Sequence, residues 1–279
     1  MRHQLFFLLL LTLLLTACDR SGSEAAAGAA DEAAVMTPDT FALAYYTVSD
    51  SVSLFLEDFE GPQANYKIRS LRVESGSEAF RRLVADSLAA DILTPDAKII
   101  GGDHPGAYAE MISRNLADYE LRNANEEDMD RAADMPQAYY ESVEWTARPV
   151  YNRNGYLTVA HDAYSYMGGA HGIYGTTLKT FADNPARALR LTDLLAAPVD
   201  SVALLALLLN RIDADRLYND EDPVPVTDNV GMTADGLRFI YYPYEIGPYA
   251  AGQIEVDLSY DELLAAGLLG DDSPLKPKQ

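Results

Sequence analysis

The sequence predicts an α+β fold: an antiparallel sheet with helices packed on one face, arranged in two lobes. Three observations point to it. Segments rich in Tyr, Thr and Val alternate apolar and polar residues with the period of a strand. Between them stand segments with apolar residues at helical spacing, opened by capping signals. Hairpin signals, Asn152-Arg-Asn-Gly155 and Ala234-Asp-Gly236, join neighbouring strands directly. Strands in hairpins with inserted helices favour antiparallel pairing over a parallel βαβ array.

The chain begins with a short basic start, Met1 to Gln4, and an apolar run from Leu5 to Leu15 broken only by Thr12. That run is too short to span a bilayer and has the size of a signal-peptide core, so residues 1–17 read as a signal peptide. The following Leu15-Thr-Ala-Cys18 resembles the lipobox of bacterial lipoproteins. The resemblance implies cleavage before Cys18 and lipidation of its thiol and amino terminus, hence a lipid anchor on an extracytoplasmic membrane face. The alternative is a secreted protein with a free thiol. Cys18 is the only cysteine, so the rest of the chain holds no disulfide. Residues 18–40 are rich in Ala, Gly, Ser and acids and carry no aromatic side chain, the composition of a flexible tether. A coil of this length reaches about 25 Å.

With 43 acidic and 21 basic side chains the net charge is −22. Such a surface repels nucleic acid, which excludes that class of partner. It steers a cationic partner inward; the plainer reading is that the charge maintains solubility.

Residues 41–136 read as an N-terminal α+β lobe. Phe41 to Leu56 and Tyr66 to Val73 have strand character, with Ile68 and Leu71 out of step and Gly61-Pro62 as the turn. Ser75-Gly-Ser-Glu78 has the form of a capping box, followed by Phe80, Leu83, Val84, Leu88 and Ile92 at helical spacing up to Thr94-Pro95. A second helix starts at Pro105 with Tyr108, Ile112, Leu116 and Tyr119 on one face, and His104 at its entry as a capping or surface residue. Asn123 to Met135 reads as an acidic helix.

Residues 137–269 read as the C-terminal domain and 270–279 as a polar tail. Ala138 to Val150 and Tyr156 to Tyr166 pair across Asn152-Arg-Asn-Gly155, the second strand alternating apolar against polar residues. Tyr174 to Phe181 follows a glycine loop. Asp200 to Leu217 is a helix with Val202, Leu205, Leu209 and Ile212 inward. A hairpin over 226–242, a strand over 253–258 and a short helix capped by Ser259-Tyr-Asp-Glu262 complete the domain.

Two segments stand out, Tyr164-Ser-Tyr-Met-Gly-Gly-Ala-His-Gly-Ile-Tyr-Gly-Thr176 and Phe239-Ile-Tyr-Tyr-Pro-Tyr-Glu-Ile-Gly-Pro-Tyr-Ala-Ala-Gly252. Both mix glycine and tyrosine, and they are expected to meet at one end of a sheet. Taken with Leu191-Thr-Asp-Leu-Leu195 and Tyr260-Asp-Glu-Leu263, their order and spacing resemble the extracytoplasmic domain shared by the anti-sigma factor RsiV and the peptidoglycan deacetylase PdaC. The likeness spans about Tyr139 to Leu269; the N-terminal lobe is PdaC-like only weakly. It implies an α+β envelope module and, as ligand, a lysozyme-like cationic protein or a cell-wall glycan. The chain shows neither a sigma-factor-binding segment nor a deacetylase domain, so neither named activity carries over whole.

Thirteen of the 18 tyrosines lie between Tyr139 and Tyr260. Tyrosine suits strand faces with one wet edge, and it is also the residue of recognition patches. The candidate binding surface is Asp162, Tyr164, Tyr166, His171, Tyr174, Tyr244, Glu245 and Tyr249. Catalysis would need several acid or base groups to converge. On a strand His161 and Asp162 point to opposite faces. His171 reads as a brace for its loop and Glu245 as a buried hydrogen-bond partner. No catalytic residue, metal site or cofactor is expected. The reading is therefore a lipid-anchored binding module; the alternatives are an envelope-glycan hydrolase or deacetylase, and a purely structural lipoprotein.

Overall fold

The structure is a computed structural model that describes residues 40–56, 59–218, 223–270, 273 and 275. The expected signal peptide, Cys18 and the tether up to residue 39 lie outside the described residues. Among the described residues nine strands form two sheets and six α-helices accompany them, a mixed α/β architecture whose strands are mostly antiparallel.

A long hairpin of β1 (Leu43–Leu56) and β2 (Phe59–Val73) opens the first sheet. Gly61 and Pro62, expected as its turn, instead lie inside β2. A Cβ on Gly61 would stand 2.2 Å from the Leu54 carbonyl oxygen, so this glycine serves close strand approach. Helix α1 (Glu78–Ala89) is capped by Ser77, whose hydroxyl accepts from the Phe80 N–H at 3.2 Å. Ser75, the expected cap, accepts from the Ala42 N–H at 2.8 Å and ties the helix entry to β1. The helix ends at Ala89, short of Thr94-Pro95. Helix α2 (His104–Arg122) has Asp103 as cap and Pro105 in its first turn. Its buried face carries Tyr108, Ile112, Leu116 and Tyr119. Helix α3 (Glu126–Asp134) follows.

The chain then re-enters the same sheet. Strand β3 (Glu141–Arg153) lies parallel to β2, with Tyr66 opposite Val143 and Ile68 opposite Trp145. Among the described residues this is the one parallel pair, so the sheet is not purely antiparallel. Strands β4 (Tyr156–Met167), β5 (Ile173–Asp183) and β6 (Ala186–Leu189) complete the order β1-β2-β3-β4-β5-β6. The two-residue loop Asn154-Gly155 has φ of 56° and 80°, the left-handed pair that a tight hairpin demands.

Both faces of the sheet centre are covered. On one, Ala147, Leu157, Val159 and Phe181 meet Phe80, Val84 and Leu88 of α1. On the other, Ala160 and Leu178 meet Ile240 of a second sheet. Thr158 and Thr180 are buried there too, their hydroxyls 2.9 Å apart. The expected polar face of β4 is thus absent along residues 157–161, all of which are buried. Fully burying large apolar side chains here contributes about 1.5–3 kcal/mol each.

The second sheet is β7 (Val230–Met232), β8 (Gly236–Tyr241) and β9 (Ile254–Ser259). Its outer face packs on α4 (Leu191–Leu194), α5 (Ser201–Leu209) and α6 (Tyr260–Ala265). The inward face of α5 is Leu204 and Leu208, continued by Ile212, while Val202 is 81% exposed. Of the four expected inward residues only Ile212 is buried. Nearly every position of α5 is apolar, so its pattern could not choose a face. In the tail, Leu275 is buried against this core and the Ser273 hydroxyl donates to the Leu194 carbonyl at 2.9 Å. Among the described residues no helix is long and apolar enough to cross a membrane.

Candidate functional site

The loop between β4 and β5 needs its glycines. Gly168 has φ of 79°, and a Cβ there would lie 2.3 Å from the Ala138 carbonyl oxygen. The loop packs so closely on the chain entering β3 that no side chain fits. The Tyr166 hydroxyl lies 3.0 Å from the Gln137 carbonyl and 2.9 Å from that of Gly169, bracing the loop at its base.

The second glycine–tyrosine segment lies directly against it. After β8 the chain turns at Tyr242-Pro-Tyr-Glu245, with Tyr244 at φ 72°. The Tyr242 N–H donates to the Glu245 carboxylate at 2.8 Å, and the Glu245 N–H returns to the Tyr242 carbonyl at 3.0 Å. The turn brings Tyr249 onto His171: the rings stack with centroids 4.0 Å apart. The Tyr249 hydroxyl donates to the Gly172 carbonyl at 2.6 Å, and the same oxygen lies 3.0 Å from His171 Nδ1. Tyr174 meets Tyr249 edge-on at 6.1 Å and Tyr244 tilts against it at 5.5 Å. Loss of water contact among the rings pushes the Tyr249 hydroxyl pKa up. Tyr164 covers Gly172, and Tyr242 covers Gly175 while its hydroxyl sits 2.7 Å from that of Thr177.

The free edge of β5 beyond β6 is closed by two side-chain amides. Asn229 accepts from the Leu178 N–H at 2.8 Å and donates to the Thr176 carbonyl at 2.7 Å. Gln253 accepts from the Thr176 N–H at 2.7 Å. Together they substitute for a neighbouring strand and join the two sheets.

The structure therefore unites four of the sequence-chosen residues, His171, Tyr174, Tyr244 and Tyr249, in one aromatic cluster, with a fifth, Tyr164, beside it over Gly172. Much of it faces solvent; Tyr244 is 51% exposed and the neighbouring Ile173 62%. Asp162, Tyr164 and Tyr174 also line a shallow groove of about 320 Å³ floored by Gly175. Asp162 is held by Arg148 at 2.8 Å and by the Thr176 hydroxyl at 2.7 Å. Glu245 is exposed and caps its own turn, where a buried partner was expected. Tyr166 is a brace. Sequence reasoning did not choose Tyr242, although it stands inside the quoted segment, nor Asn229 and Gln253, which carry no local signal.

Ten residues before His171, His161 points to the helix side and Asp162 to the other, as strand geometry requires. His161 is 3% exposed, with Nδ1 2.9 Å from Asp91 Oδ2. Lys179 Nζ lies 2.6 Å from Asp91 Oδ1 and donates to the Ser87 carbonyl at 2.6 Å. Burial pushes the Asp91 carboxyl up, but the bonds from His161 and Lys179 outweigh it and leave the pKa lowered. His104 is likewise buried, 2.9 Å from Asp86, and links α2 to α1; it is neither cap nor surface residue. Among the described residues no three His, Cys, Asp or Glu side chains converge as a metal would require.

Residues 205–261 match DUF3298, a family described as a protein of unknown function. That stretch runs from α5 through the second glycine–tyrosine segment to the start of α6. A solved structure of a DUF3298 member from Bacteroides fragilis is 22% identical, with a TM-score of 0.66, covering 84% of this chain and 96% of its own. A DUF3298 protein from Pseudomonas aeruginosa is 19% identical, with a TM-score of 0.53, covering 84% of this chain and 97% of its own. At those identities the likeness establishes the fold alone. No curated protein matches the chain.

Proposed function

We propose that the protein is a lipid-anchored binding module of the bacterial cell envelope, and that it recognises its ligand through the aromatic cluster around Tyr249. One observation carries this reading: two segments about 75 residues apart in sequence are held together by ring stacking and hydrogen bonds, yet leave tyrosine faces open to solvent. Aromatic faces with nearby hydroxyls suit the apolar faces and hydroxyls of a glycan, and equally the cationic side chains of a protein. The charge of −22 supports a cationic protein such as lysozyme. A cell-wall glycan is the other ligand that the surface fits. The lipobox-like Leu15-Thr-Ala-Cys18 and the RsiV/PdaC-like motifs support the address. A glycan hydrolase is less favoured, because His171, Asp162 and Glu245 each hold a separate local partner.

Calorimetric titration with lysozyme and with soluble peptidoglycan fragments, each at two salt concentrations, tests the proposal. A cationic-protein ligand gives binding that weakens as salt rises; a glycan gives salt-insensitive binding. Absence of binding to both overturns the reading.

A further inference from the structure

A cleft of about 640 Å³ lies far from the aromatic cluster in sequence, between the end of β2, α1 and the turn that enters α2. Its apolar floor includes Leu71 and Val73, both buried. One wall is a stripe of α1, Glu78, Arg81, Arg82, Ala85 and Asp86, at the i, i+3, i+4, i+7, i+8 spacing of a single helix face. The core face of the same helix carries Phe80, Val84 and Leu88, so this second stripe is free for another role. Arg72 adds a third guanidinium from the sheet.

Three arginines gathered in one cleft are unexpected in a chain with twice as many acids as bases. Arg72 pairs with Glu74 at 3.0 Å, and Arg82 with Asp86 at 3.4 Å. Asp86 is also taken by His104 and Asp103 by the Gly106 N–H. Arg81 and Glu78 form no ion pair among the described residues, although both line the cleft. A guanidinium fork suits a carboxylate, and an unpaired carboxylate one turn away suits an ammonium group. Charges of both signs over an apolar floor fit a zwitterion better than a phosphate, which the three carboxylates of the walls would oppose. The volume lies within the range of small-molecule sites. A two-residue peptide spans about 7 Å between its ends, close to the spacing of groups one helical turn apart.

We infer that this cleft binds a short apolar peptide with free ends, its carboxylate on Arg81 and Arg72, its ammonium on Glu78 and its side chains over Leu71 and Val73. The inference is independent of the aromatic cluster. The test titrates the full chain, by calorimetry and thermal shift, with a panel of apolar di- and tripeptides and with their C-terminal amides and N-acetyl forms. Free peptides are expected to bind. Amidation, Arg81→Ala and Arg72→Ala should each weaken binding about tenfold. Acetylation and Glu78→Gln should each act on the other end. Tyr174→Ala should leave peptide binding unchanged. Unliganded melting temperatures of these surface variants should match the wild type, which separates lost binding from lost folding. The inference is overturned if no panel member binds at about 1 mM, a concentration at which even weak specific binding is detectable, or if amides bind as well as free peptides.

Discussion

His161 and His171 stand ten residues apart on one hairpin and do opposite things. His161 is sealed beneath α1, paired with Asp91 beside Lys179. His171 lies at the exposed end, stacked on Tyr249. The first region is a largely buried polar network in which Asp91 joins His161 to Lys179 and Lys179 ties α1 to the sheet through the Ser87 carbonyl, with His161 Nε2 left unpartnered. The second spends its hydrogen bonds on shaping a loop and leaves ring faces uncovered. A surface built with that much internal order, yet left open, is better suited to recognition than to holding the fold.

Breaking the first region should have the largest effect. Asp91→Ala leaves His161 and Lys179 without their shared carboxylate. A loss of about 3 kcal/mol is expected, the low end for a buried pair because Asp91 is partly exposed; urea unfolding would measure it, with ligand binding retained by the folded fraction. Gly168→Ala strikes the second region through its backbone, combining an unfavourable positive φ with a clash against Ala138. It should cost about 2 kcal/mol and also weaken ligand binding by misplacing the loop. Tyr249→Ala removes the stack and the bond to Gly172; about 1 kcal/mol of stability is expected to go, with a larger proportional effect on binding.

A pH series sharpens the same contrast. The hydroxyls of Tyr66, Tyr119, Tyr241 and Tyr260 are pushed from 10.0 up to about 12, chiefly by burial and, for Tyr66 and Tyr119, next by the charge of Glu141. Below pH 10 both folded and unfolded chains keep these protons. Between 10 and 12 the unfolded chain releases them first, so stability falls as pH rises through that window. The smallest effect lies at the acid end. Bonds from Arg211 and Ser259 hold the Glu262 carboxyl at about 2, down from 4.5. Its contribution is present above pH 4.5 and lost as pH falls towards 2, and Glu262→Gln should flatten that slope in thermal melts.

Local signals were legible wherever backbone geometry admits few solutions. Asn154-Gly155 could only make a tight hairpin, and Pro105 could only sit in a first helical turn. Ile68 and Leu71 were out of step because they belong to different cores, one beneath α2 and one beside α1. What escaped was tertiary. The parallel pairing of β2 with β3 leaves no mark on either strand. Thr158 stood among the polar residues of its strand, yet it is buried against Thr180, because a buried threonine pair differs from an exposed one only in what lies above it. The aromatic cluster was legible as two segments of shared style, while the amide clamps Asn229 and Gln253 were not, since a side chain that replaces a strand looks like any loop residue.

If the open tyrosine faces bind ligand and do not support the fold, Tyr174→Ala and Tyr244→Ala separate the two roles when affinity for lysozyme and for peptidoglycan fragments is measured together with melting temperature. At least tenfold weaker binding of whichever ligand the wild type takes is expected, with melting temperatures little changed. Undiminished affinity in both variants, or a collapse of stability without any wild-type binding, would contradict it.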